Sequence, residues 1–184
     1  MRRIIPLASM LLILASPSAA SSISAHSPVL AAAALPLANL TVINGDASGK
    51  TRWVAWAELG PRQAVRLALV DRDGARTVVR GAIVHADAYE PLLRAIPQWT
   101  YGGHSLVAFT VSYGAGAQQV ELIADDNGAP RVFASELGAA IGWTIAPTGA
   151  PILVIYTRVG SALQPRCRVW RESGDLAEIP CPPF

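Results

Sequence analysis

The sequence predicts an all-β fold made of three repeated antiparallel β-hairpin or blade-like units, with one or two short helices. Three observations carry that expectation. Short runs of aliphatic and aromatic residues recur along the chain, turns containing glycine follow them at a constant internal spacing, and two Trp-Thr pairs, Trp99-Thr100 and Trp143-Thr144, stand ahead of two of those runs.

The chain has 184 residues, which suits one domain, and 52% hydrophobic against 15% charged residues excludes a disordered polyelectrolyte. The formal charge of +2 includes Arg2 and Arg3. Both belong to a leader, so the remaining basic and acidic residues balance, and a general nucleic-acid binder, which needs a concentrated positive field, is not expected.

Met1-Arg2-Arg3, the apolar stretch 4–15 and the small residues Ser18-Ala19-Ala20 have the three-part layout of a secretory signal peptide over 1–20. The apolar stretch is too short to span a bilayer, and Pro6 interrupts it. Ala25 is a second cleavage candidate. With no cysteine beside either site, a lipid anchor is not expected, and the mature chain is expected in the periplasm or secreted, with no transmembrane segment. A basic set that is all arginine apart from Lys50 and an Ala-rich leader read as bacterial, so the acceptor-like Asn39 and Thr41 carry little weight as a glycosylation site.

Residues 21–39, rich in Ala, Ser and Pro, predict a flexible leading segment, and 40–184 a single β-repeat domain. The three clearest apolar strands are 53–59, 106–113 and 152–157. Each is followed by a partner, at 64–70, 118–124 and 167–171, then by a turn at Gly74, Gly128 or Gly174. A third short strand follows each turn, at 76–80, 131–134 and 176–179. From Trp56, Phe109 and Tyr156 to their own turn glycines the separations are 18, 19 and 18 residues, which supports three copies of one unit. The longer first interval is assigned to an insertion at 87–95, where Asp87 and Glu90 are placed like a helix cap pair ahead of Leu92 and Leu93. Residues 135–140 are a second helix candidate. Gly114-Ala115-Gly116-Ala117 sits between two strands and reads as a hairpin connection rather than a phosphate loop.

Cys167 and Cys181 are the only cysteines, and an exported chain keeps such a pair oxidised. A hairpin centred on Gly174 sets Cys167 opposite Cys181 and Val169 opposite Ile179, which makes the disulfide a staple of the last hairpin. Nothing resembling a redox Cys-x-x-Cys motif is present.

The segment Pro97-Gln98-Trp99-Thr100-Tyr101-Gly102-Gly103-His104-Ser105-Leu106-Val107-Ala108-Phe109, with its hairpin ending in Asp126-Asn127-Gly128, resembles one blade of a TolB-like β-propeller. The units from Trp143 to Ile179 and from Val42 to Arg80 are weaker copies. The resemblance departs from the family at the Asp-Gly turn, replaced here by Gly102-Gly103 or Thr148-Gly149. Three units are too few to close a ring alone, since propellers use at least about four blades. The resemblance therefore implies a partial propeller, completed by another segment or chain, with loops at one end available to partners. A sandwich or barrel of the same hairpins is the alternative.

Asp71-Arg72-Asp73-Gly74 and Asp125-Asp126-Asn127-Gly128 look like the start of calcium loops, but they lack the downstream bidentate Glu and suit hairpin turns better, so no metal and no cofactor is expected. His104 and Ser105, with Asp87 or His85, are the candidates for a hydrolytic site, without any nucleophile-elbow signature. Arg166, Arg168 and Trp170 alternate on the last long strand and, with Arg158, form the candidate binding patch. Guanidinium groups beside an aromatic suit phosphate- or carboxylate-bearing polymers such as lipopolysaccharide or peptidoglycan. Trp53, Trp56, Trp99 and Trp143 either line a sugar platform or fill the space between repeats. The sequence thus points to an exported envelope binding or interaction module without catalytic activity, taking an envelope polymer or a protein partner. A periplasmic hydrolase near His104 and an oligomeric structural component are the alternatives.

Overall fold

A computed structural model describes residues 37–46, 48–58, 63–73 and 76–183. The leader, nearly all of the leading segment and the turn at Gly74 lie outside them. Among the described residues, twelve strands form three sheets: β1 (Leu37–Asn44), β2 (Thr51–Glu58), β3 (Ala64–Asp73) and β4 (Arg76–Ala86); β5 (Ala88–Tyr101), β6 (His104–Tyr113), β7 (Ala117–Asp126) and β8 (Ala129–Gly138); β9 (Ala140–Ile145), β10 (Pro151–Val159), β11 (Ala162–Trp170) and β12 (Leu176–Ile179). Each sheet is a four-stranded antiparallel meander in chain order. The nine strands read from the sequence are therefore present, and every unit also has a first strand, β1, β5 or β9.

The alternation of side chains along a strand explains the layering. In β6, Val107, Phe109 and Val111 join Trp53, Ala55, Val65, Leu67 and Leu69 of the first sheet in one core. Leu106 and Ala108 point the other way and join Val120, Leu122, Leu153 and Ile155 in a second core shared with the third sheet. The middle sheet is buried on both faces, which is why residues 106–112 are buried without a break.

The expected helices are strands instead. In β5 the buried positions are Ala88, Pro91, Leu93, Ile96 and Trp99, a near-helical spacing produced by register shifts after Tyr89 and after Ile96. Asp87 and Glu90 do not cap a helix; their φ values are 57° and 53°, and Asp87 turns the chain from β4 into β5 with its N–H on the Gln63 carbonyl at 2.8 Å. Residues 135–138 continue β8, because pairing with β7 (Val120 opposite Glu136, Gln118 opposite Gly138) outweighs their weak local preference. Helical structure among the described residues is one 3-10 turn, Gly114–Gly116, which is the expected hairpin connection between β6 and β7.

The units share irregularities as well as strands. Asn39-Leu40 in β1 and Glu90-Pro91 in β5 are matching two-residue bulges, and each contains a non-glycine residue at positive φ, Asn39 at 54° and Glu90 at 53°. Arg80 in β4 and Phe133 in β8 are likewise the extra residues of matching bulges.

Cys167 and Cys181 form a disulfide with Cα atoms 5.2 Å apart. The register differs from the expected one: Cys167 pairs with Ile179 and Val169 with Ala177. Cys181 lies two residues beyond the strand end, so the bond draws the C-terminal segment diagonally back onto a cluster of Ile152, Val154, Cys167 and Val169 on the outer side of the third sheet.

Candidate functional site

A cleft of about 490 Å³ opens where all three sheets meet. One wall is the β1 bulge with Asn39 and Leu40, and another is the β5 bulge with Glu90 and Leu92. Thr41 Oγ1 and the Pro91 carbonyl, 3.5 Å apart, tie these walls together. Glu90 is held at positive φ directly before a proline, a conformation that costs about 1 kcal/mol or more and is sustained by the surrounding sheet. Bulges serve here to re-aim side chains out of the ladder and into the cleft.

Thr110, Ser112 and Gln118 come from β6 and β7, and Trp143 from β9. Gln118 is fixed at both ends of its amide: Nε2 donates to Ser112 Oγ at 3.3 Å, and Oε1 accepts from the Ile141 N–H at 2.8 Å. Trp143 is equally fixed, with its ring 5.3 Å from Trp99 and the Arg94 guanidinium 5.1 Å from its centroid. Among the described residues the lining thus combines exposed leucines (Leu40 52%, Leu92 60% exposed), a half-buried tryptophan, hydroxyls, two amides and a single carboxylate.

A buried polar cluster lies elsewhere, between the first two sheets. His85 Nδ1 is 2.8 Å from the Tyr113 hydroxyl, which donates to Gln119 Oε1 at 3.2 Å, and His85 Nε2 is 3.1 Å from Glu121 Oε2. Gln119 Nε2 bonds both Glu121 Oε1 at 3.1 Å and Ser135 Oγ at 3.0 Å. Burial, and then the Glu121 charge, raise the Tyr113 hydroxyl above its ordinary value of 10.0.

The residues singled out from the sequence fall in several places. Arg166 and Arg168 share Glu136 of β8, at 3.5 and 3.3 Å, and Arg168 also reaches Glu178 at 2.9 Å. Trp170 donates its indole N–H to the Thr100 carbonyl at 2.9 Å and stacks on Trp99 at 6.5 Å. These three side chains lie between the second and third sheets. Arg158 is on the opposite face of the third sheet, since it pairs with Leu163 at the register that places Tyr156 and Val154 outward. His104 and Ser105 are exposed beside the Gly102-Gly103 turn, whereas Asp87 precedes the other end of β5, a 14-residue strand on the order of 40 Å long at about 3.3 Å per residue. His85 belongs to the buried cluster, so the chain does not assemble these residues into one constellation.

Asp125 accepts from the Gly128 N–H at 2.6 Å, and Asp126 is paired with Arg131 at 2.8 Å. That is turn chemistry, and among the described residues no group of three His, Cys, Asp or Glu is arranged to hold a metal. The tryptophans do not share a platform: Trp53 is in the first core, Trp56 lies on the other face of the first sheet with Val54 and Ala68, and Trp99 is in the second core beside Trp143. Sequence reasoning missed Glu90, Thr110 and Gln118, which converge only after folding. Glu121 did carry a signal, as a lone carboxylate inside the apolar run Val120 to Ile123. No protein-family profile, curated protein or solved structure matches this chain, so the fold and the cleft stand on their own geometry.

Proposed function

We propose that this chain is an exported, non-enzymatic binding module of a bacterial envelope and that it takes its ligand in the three-sheet cleft. The observation that carries the reading is the convergence of two fixed bulges, a fixed amide and a fixed indole on one opening of about 490 Å³, within the roughly 300–1,000 Å³ usual for ligand sites. Export draws support from the signal-like leader and from the Cys167–Cys181 bond. The propeller resemblance draws support from three four-stranded antiparallel sheets packed in chain order.

The test is thermal unfolding of the mature, oxidised protein with peptidoglycan fragments, lipopolysaccharide and short oligosaccharides. A ligand that binds the folded state raises Tm by mass action. A rise lost in Leu92→Arg, a substitution at an exposed position of the cleft, supports the reading; turnover of any of these polymers by the purified protein overturns its non-enzymatic part.

An oligomeric structural role is the second reading, favoured by apolar residues exposed on both edge strands of the first sheet: Leu40 and Val42 on β1, and Val78 and Val84 on β4. A monomeric mass in solution overturns it.

A further inference from the structure

The structure assigns the cleft a ligand class: resting on the binding-module reading above, we infer that it takes an uncharged, polyhydroxylated chain, a short neutral oligosaccharide, rather than a phosphate- or carboxylate-bearing polymer. The charge of the lining is the first argument. Among the described residues Glu90 is its one acidic side chain and no basic side chain lines it; Arg94 stands at the margin, occupied over the Trp143 ring, so an anionic group inside the cleft would meet the Glu90 carboxyl first. The arginines best suited by sequence to an anionic polymer are committed elsewhere, Arg166 and Arg168 to Glu136.

The polar groups supply the second argument. Asn39 offers a donor and an acceptor from one amide, Glu90 accepts only, and Thr110 offers a hydroxyl. Such a mixture matches sugar hydroxyls, each of which donates and accepts. The third argument is shape. The exposed Leu92 and Leu40, with the part of Trp143 that Arg94 and Trp99 leave uncovered, give an apolar surface for the C–H groups of a pyranose ring, and Trp143 is held in place, so little freedom is lost on binding.

The experiment is calorimetric titration of the mature, oxidised chain with three uncharged tetrasaccharides, of β-1,4-linked N-acetylglucosamine, β-1,4-linked glucose and α-1,4-linked glucose, and in parallel with lipopolysaccharide and polyphosphate. Leu92→Arg and Glu90→Gln are the variants, with circular dichroism confirming that each folds. Saturable binding of at least one neutral tetrasaccharide, weakened about tenfold or more in both variants, is the expected result. Binding only of lipopolysaccharide or polyphosphate, weakened by Glu90→Gln or Leu92→Arg, overturns the ligand class and leaves the cleft as the module's site. Neutral binding indifferent to both variants overturns the placement and leaves the module reading. No binding in any arm overturns both.

Discussion

The two seams of the molecule, one between the first and second sheets and one between the second and third, are built from the same repeated strands and closed by different chemistry. In the first, Phe109 and its aliphatic neighbours are accompanied by the buried cluster of His85, Tyr113, Gln119 and Glu121. In the second, Trp99, Trp143 and Trp170 form a contiguous aromatic row, and Glu136 clasps two arginines at its margin. Close approach is the one feature solved alike, by a glycine at each seam: a Cβ at Gly81 would fall 2.7 Å from Pro130 at the first, and one at Gly138 would fall 2.8 Å from Ile155 at the second. A repeat specifies strands; the faces that meet are specified residue by residue.

The largest expected effect is at the first seam, where Phe109 is fully buried. Phe109→Ala should lower unfolding stability by about 3–5 kcal/mol in a denaturant titration. An equal loss on Leu153→Ala would make the two seams energetically equivalent; a smaller one, within about 2–5 kcal/mol, would show that the aromatic row relaxes around the hole.

Removing the Cys167–Cys181 bond, which spans 14 residues, should cost about 3 kcal/mol. Amide exchange should rise in β10 to β12 while β2 and β3 remain protected, since the bond touches only the outer cluster of the third sheet. A uniform rise would mean that the three sheets unfold as one unit.

Glu136→Ala strips Arg166 and Arg168, the latter only 17% exposed in its side chain, of their shared partner. A loss of about 1–3 kcal/mol is expected, partly relieved for Arg168 by Glu178. Restoration of stability by a second substitution, Arg168→Leu, would identify the unpaired charge as the cause.

The smallest effect distinguishes the seams by pH. The Tyr113 hydroxyl is raised above 10.0 in the folded state, so its contribution is fully present below pH 10 and is lost as pH rises through the raised value. Tyr113→Phe should remove that alkaline slope and cost about 1 kcal/mol at neutral pH through the lost hydrogen bonds. Persistence of the slope in this variant would assign it to another group.

The strands were legible wherever burial kept a simple period. The runs at β2, β6 and β10 are apolar because both of their faces are covered, and Asn127-Gly128 marks its turn by the positive φ that both residues adopt. β5 was misread because Asp87 and Glu90, which turn and bulge the chain at positive φ, stand ahead of Leu92 and Leu93 where a helix cap pair would. The candidate site was less legible still. Its polar residues come from four different strands, and those that drew a reading had a local one, Glu90 as a cap and Asn39 with Thr41 as an acceptor site.

By itself, then, the sequence determined the all-β class, the threefold repetition and the partnership of the two cysteines, because hydrophobic period, turn chemistry and cysteine count act over neighbouring residues. The tertiary structure decided the layering of the sheets, the shifted register of the last hairpin, the pairing of Arg166 and Arg168 with Glu136, and the cleft. Those depend on which faces meet at long range, and a bulge of one residue is enough to reverse the side on which every later side chain lies.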